Sequence, residues 1–292
     1  MLFLFPVLVA AGGALLVVKA ALVFKISRAI QQAPRGSAKV PEDLAAGGNV
    51  EQVEYRLQDG MAVRGWYLPS RNGAAILLVH GQPGTRTELL PEAKGLSQHG
   101  YGVLLIDLPG HGESDGRATW GENANDALTR GLDYLSQRAD VNPERLGALG
   151  FSYGASLLAR VTTEERRLRA VALTGVYTSA RDQLEYGYGK WGALTQWPAV
   201  WGAQWDGLVL DDLRPVDVVA KIAPTPILFV AGTTDIVVPY FMSRSVFDRA
   251  REPKTFFTVE GAGHGEYASV ARSTYFERLT SFFDRTLGES EG

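Results

Sequence analysis

The chain has 292 residues, 46% hydrophobic and 21% charged, a composition that suits one large α/β domain. Its net charge of -3 gives no electrostatic basis for binding nucleic acid. It has no cysteine, which excludes disulfides, thiolate metal sites and a cysteine nucleophile.

Residues 1–18 carry no charge, and the apolar character resumes after Lys19 until Lys25. The run is just long enough to cross a bilayer, with Lys19 snorkelling toward the headgroups. A cleaved signal peptide would place basic residues before its apolar core. Here Lys19, Lys25, Arg28, Arg35 and Lys39 all follow it. The expectation is therefore a single-pass anchor over 1–28, with the domain on the cytoplasmic side by the positive-inside rule. The alternative is a secreted or periplasmic protein after cleavage. A buried core helix fits poorly, because no polar face is visible. Residues 29–50 mix Pro, Gly, Ala and charge without periodicity, and read as a linker or loosely packed arm.

From residue 51 to the end the chain reads as one domain. "VEYRLQDGMAVRGWYLP" alternates about Asp59-Gly60, a hairpin signal. "AAILLVH" and "YGVLLIDL" are buried strands flanking a helix over "RTELLPEAKGLSQHG". The helix "NANDALTRGLDYLSQR", the strand "RLGALGF", the helix "YGASLLARVTTEE" and the strand "RAVALTGVY" follow. The strand "TPILFVAG", the helix "YFMSRSVFDRAR", the strand "KTFFTVEGAG" and a closing helix "ASVARSTYFERLTSFFDRTL" complete the chain. The alternation predicts an α/β fold with a mainly parallel sheet, helices on both faces and an antiparallel hairpin at one edge. Residues 178–224 interrupt it and hold Trp191, Trp197, Trp201 and Trp205. They are expected to form an inserted cap. Its tryptophans read as a local core with one or two facing a pocket; lining an apolar substrate site or touching a membrane is the sharper alternative.

Gly150-Phe151-Ser152-Tyr153-Gly154 is a G-x-S-x-G pattern between a predicted strand and a predicted helix. That setting suits a nucleophile elbow, with the following helix aiming its positive end at developing negative charge. A glycine turn with an incidental serine is the plain alternative. A serine hydroxyl needs a base. Of the four histidines, His264 lies just beyond the last strand among Gly261, Gly263 and Gly265. His80 ends a strand, His99 ends a helix and reads as exposed, and His111 lies in "DLPGHGESDG". Asp235 follows another strand end and could orient the base, or simply form an Asx turn. Asp107 and Asp212 are its rivals. The order Ser152, Asp235, His264 matches nucleophile, acid and base at the carboxyl edge of such a sheet.

On these residues the chain resembles an α/β-hydrolase-fold serine hydrolase over about 51–288, esterase- or lipase-like. "HGQPGT" resembles that fold's oxyanion loop. The resemblance implies that the backbone N–H groups of Gln82 and Tyr153 hold the oxyanion, and that Asp107 and His111 are structural. Related epoxide hydrolases and dehalogenases carry aspartate where this chain has Ser152. The anchor resembles that of membrane-anchored α/β-hydrolase-domain proteins, whose suspected substrates include lipids. The implied reaction is cleavage of small-molecule or lipid-like esters through an acyl-enzyme, with no metal or organic cofactor. The alternatives are a serine peptidase or acyltransferase on the same fold, or a catalytically silent membrane-tethered binding protein. "GALGFSYG" lacks the G-x-G-x-x-G of a dinucleotide site.

Overall fold

The computed structural model describes residues 16–25, 33–45, 49–118, 122–189, 192–205 and 209–288. Eight strands form one sheet: β1 Glu51–Arg56, β2 Ala62–Leu68, β3 Ala75–Val79, β4 Gly102–Ile106, β5 Leu146–Phe151, β6 Leu168–Thr174, β7 Ile227–Gly232 and β8 Lys254–Val259. Their spatial order is β1-β2-β4-β3-β5-β6-β7-β8. β1 and β2 form the antiparallel hairpin about Asp59-Gly60, and β2 is antiparallel to β4; every other pair is parallel. This is the α/β-hydrolase architecture the sequence predicts.

Chemistry explains the order. β3, β4, β5 and β7 are apolar runs with every residue buried, as strands covered on both faces must be. β1 alternates exposed and buried residues, with Glu51, Glu54 and Arg56 charging the open edge against further pairing. Successive side chains of β3 go to opposite faces. Leu77 and Val79 join a core with Leu128, Leu132, Leu157 and Leu158, beneath helices Glu122–Ser136 and Tyr153–Val161. Ile76 and Leu78 join one with Leu96, Leu279 and Phe283, beneath helices Leu90–Gln98 and Arg272–Leu287. The expected single closing helix is two pieces, Tyr267–Val270 and Arg272–Leu287, because Ala271 leaves helical geometry at φ −126°, ψ 44°.

The described part of the 29–50 arm is packed on the loop after β4. Arg35 donates to the Ser114 carbonyl at 2.6 Å, Gly112 N–H donates to Pro34 O at 2.8 Å, and Leu44 is buried. Of the expected anchor, residues 1–15 and 26–28 lie outside the described residues, while 16–25 are helical. No helix among the described residues is long and apolar enough to cross a membrane.

Between β6 and β7 run two cap helices, Ala180–Gly189 and Ala193–Trp205, and a single turn at Pro215–Val218. Here one expectation is corrected. Trp197, Trp201 and Trp205 do not form the cap's core; they are 64%, 64% and 76% exposed. The cap packs instead through Leu184, Ala199, Val200, Ala203, Leu210 and Leu213. Trp191 lies outside the described residues.

The weight on the sheet centre can be measured. Leu149 of β5 is fully buried between its neighbours. Leu149→Ala is expected to lower the unfolding free energy by about 2–5 kcal/mol. Val270→Ala, at a 47% exposed position, is expected to change it by less than about 0.5 kcal/mol. Urea denaturation of both variants checks this.

Candidate active site

β5 runs in the middle of the sheet between β3 and β6, so its carboxyl end opens at the sheet's centre. The chain turns there within one residue. Ser152 has φ 53° and ψ −113°, and among the described residues it is the one non-glycine at positive φ. Its N–H donates to Thr174 O at 2.8 Å, and the Thr174 hydroxyl donates back to Gly150 O at 3.0 Å. The end of β6 therefore holds the strained turn from both sides. Helix Tyr153–Val161 starts immediately after, so its positive end lies at the serine.

The two glycines of the motif have measurable reasons. A Cβ on Gly150 would lie 2.5 Å from the carbonyl carbon of Gly154. A Cβ on Gly154 would lie 2.2 Å from Val79 O, on β3. The first lets the strand fold back on its helix, and the second lets that helix lie against β3. Either side chain would force the turn open.

Asp235 follows β7 and is 6% exposed. Its Oδ1 accepts Val237 N–H at 2.9 Å and Val238 N–H at 2.8 Å, which makes the Asx turn. Its Oδ2 accepts from His264 Nδ1 at 2.7 Å. Asp235 thus shapes its own loop with one oxygen and meets the imidazole with the other. A carboxylate accepts only, so Nδ1 carries the proton and Nε2 of the neutral ring is left as a base. The acid and histidine loops are tied together. Thr234 N–H donates to Ala262 O at 3.0 Å, the Thr234 hydroxyl donates to Gly261 O at 3.0 Å, and Gly261 N–H donates to the Thr233 hydroxyl at 2.9 Å. The His264 ring lies 4.6 Å from the Phe151 ring, next to Ser152. Asp235 and His264 are hydrogen-bonded, and Ser152 makes no direct hydrogen bond to the imidazole.

The rivals do not reach the imidazole. Asp107 is engaged by Arg86 and by Glu113 N–H, and Asp212 is exposed. His99 is exposed at its helix end. His80 is buried, donates from Nδ1 to Gly81 O at 2.7 Å and accepts Leu108 N–H on Nε2 at 3.0 Å. Burial first, and the neighbouring His111 second, push its pKa down to about 3. Burial also lowers His111. His111 Nδ1 faces the Pro109 carbonyl at 3.1 Å, so that nitrogen holds the proton of the neutral ring. Its Nε2 lies 2.5 Å from Oε1 of Gln82, and a neutral ring protonated at Nδ1 is satisfied there only with the amide turned to present its NH₂.

Gln82 lies in the loop after β3 and Tyr153 in the first turn of helix Tyr153–Val161. The loop comes close to Ser152, since a Cβ on Gly81 would lie 3.2 Å from the Ser152 Cβ. Three supports were not read from the sequence. Glu88 accepts Gly81 N–H at 2.6 Å. Asp107 accepts the Arg86 N–H at 2.7 Å and its guanidinium at 2.7 Å, with both side chains 1% exposed. Glu113 takes a further guanidinium hydrogen bond. Removing one member of so buried a pair costs about 3–5 kcal/mol. A lone arginine six residues after His80 is the one sequence signal, and it does not name its partner.

Known proteins agree with this architecture. The sequence model of the prolyl oligopeptidase family matches residues 89–290. The uncharacterized protein Rv2307c of Mycobacterium tuberculosis is 31% identical over 237 residues, covering 80% of this chain and 79% of its own. The polyketide transferase ATR5 of Stachybotrys chlorohalonatus is 26% identical, covering 81% of this chain and 97% of its own. The esterase Pf2001 of Pyrococcus furiosus superposes with a TM-score of 0.74 at 20% identity, over 88% of this chain and 100% of its own, a likeness of fold.

His80 sets a pH dependence of stability. Its folded pKa lies below the ordinary 6.5, so between those values the unfolded chain binds a proton that the folded one refuses. Stability from this residue is full above about pH 6.5 and is lost as pH falls toward about 3. Urea midpoints measured from about pH 7 to 5, before most carboxylates titrate, are expected to fall, and His80→Gln is expected to flatten that slope.

Proposed function

The chain belongs to the prolyl oligopeptidase family, and from that premise we propose that it is a serine hydrolase of carboxylic esters, apolar or lipid-like in their acyl part. The observation that carries this reading is the Asp235–His264 hydrogen bond beside a serine held at positive φ. His264 Nε2 takes the Ser152 hydroxyl proton as Oγ attacks the ester carbonyl. The imidazolium that forms is stabilised by Asp235. The oxyanion is received by the backbone N–H groups of Gln82 and Tyr153, and such donors are worth about 2.7–4 kcal/mol each. His264 then protonates the leaving alcohol, and an acyl-Ser152 remains. Water loses its proton to the same imidazole, attacks the acyl carbonyl and frees the acid.

The apolar preference is supported by the exposed Ile236, Val237 and Phe241 bordering the acid loop, and by the charge-free residues 1–18. We assign 1–28 as an anchor on that last ground, with Lys19 and Lys25 at its inner end. A second reading is acyl transfer to an alcohol in place of water, favoured by the similarity to ATR5. It differs only in which nucleophile reaches the acyl-enzyme.

A fluorophosphonate probe is expected to label the folded protein, and Ser152→Ala to abolish labelling. Ser152→Ala and Asp235→Asn are each expected to lower kcat/KM for a p-nitrophenyl ester by at least about 10³-fold, with unchanged thermal unfolding. Equal labelling of Ser152→Ala would remove the serine from this role. Product analysis with added alcohol separates hydrolysis from transfer.

A further inference from the structure

The outer cap helix, Ala193–Trp205, is built inside out for a helix facing water. Its sequence "ALTQWPAVWGAQW" contains no charged residue. Its inner face buries small and medium side chains, Ala199, Val200 and Ala203. Its outer face presents Trp197, Trp201 and Trp205, spaced four apart and therefore on one side of the helix, all more than three-fifths exposed. A soluble amphipathic helix does the reverse, burying its largest apolar groups and charging its outside. Clustered exposed apolar surface of this kind marks an interaction site.

Three further observations identify the occupant. The end of this helix meets the described part of the N-terminal segment, because the Phe24 ring approaches the Trp205 ring edge-on at 6.3 Å. That segment, 16–25, exposes Leu16, Val17, Val18 and Leu22, and it is preceded by fifteen residues without charge. Lys19 and Lys25 on it are exposed. An apolar surface of tryptophans adjoining an apolar segment, with lysines alongside, has the chemistry of a bilayer interface. Tryptophan's amphipathic ring settles at headgroup depth, apolar segments go deeper, and lysine reaches out to phosphate. A protein partner would more often meet such aromatics with a polar rim on the same helix, and this helix has no charge to supply one.

We propose that the Trp197–Trp201–Trp205 face of the cap docks on the lipid surface, lying in the plane of the headgroups as interfacial helices do. The other cap helix, Ala180–Gly189, then joins this face to the carboxyl edge of the sheet. Its Tyr186 ring meets Phe241 at 5.9 Å, and Phe241 lies in the first turn of helix Tyr240–Arg249, which follows the Asp235 loop. Docking would present the site to esters drawn from the membrane. The surface argument is independent of the hydrolase chemistry.

The test uses the full chain with phosphatidylcholine vesicles whose acyl chains carry bromine near the headgroup. Three of the six tryptophans lie on the proposed face. Wild-type emission is therefore expected to be quenched by up to about half when those three are the accessible ones. Trp197→Gln/Trp201→Gln/Trp205→Gln is expected to lose most of that quenching. Both proteins are expected to float with the vesicles, to share one thermal unfolding temperature and to label equally with fluorophosphonate. Quenching of both to the same degree overturns the proposal while leaving the anchor assignment intact. Absence of quenching in the wild type also overturns it. A dimer that the triple substitution dissolves would then identify a second copy as the occupant, and vesicle-independent burial of the tryptophans would identify residues 1–15. Failure of fluorophosphonate labelling would count against the hydrolase reading alone.

Discussion

Ser152 is held at φ 53° and ψ −113°, a backbone conformation that costs a non-glycine residue on the order of 1–3 kcal/mol. It persists because its surroundings leave the chain no other path. β5 is paired on both sides, by β3 and β6. The Thr174 carbonyl fixes the serine N–H, and the absent side chains at Gly150 and Gly154 let the helix fold back to touch β3. The burial of the sheet centre supplies the free energy that offsets the strain. The strain in turn lifts one hydroxyl out at the sheet's carboxyl edge.

Other loops are organised around that edge by polar cross-ties rather than by apolar packing. Asp235 uses one oxygen to shape its own loop and the other to orient His264. The loop after β3 is braced by the buried Arg86–Asp107 pair and by Glu88. Two neutral histidines fill the space beneath it, each locked in one tautomer by a backbone carbonyl. Such networks fix polar groups in place, and preorganised donors of this kind need little reorganisation when charge develops.

The elements most legible in the sequence are those with a local physical signature. Continuous apolar runs ended by glycine turns gave away the parallel strands, and Asp59-Gly60 the hairpin. Ser152, Asp235 and His264 stand out in the sequence because each lies just beyond a strand end, and the structure places all three there. What stayed hidden depends on contacts between distant residues. Nothing near Arg86 announces Asp107 as its partner. The break at Ala271 arises from tertiary packing, since the local sequence is continuously helical in pattern. The cap tryptophans misled for a definite reason. A four-residue spacing gives the same stripe whether that stripe faces a core or faces outward, and only the small residues on the opposite side reveal the direction.

The central claim is that the strained serine is the atom that takes the acyl group. It is tested most directly by acid-quenching the wild-type protein during turnover of p-nitrophenyl trimethylacetate, whose hindered acyl group leaves an enzyme slowly, and mapping the added mass. One trimethylacetyl group per chain on the peptide bearing Ser152, formed with a matching burst of nitrophenolate, is the predicted result. Turnover with the acyl group on another residue, or with no acylated chain at all, would contradict the account.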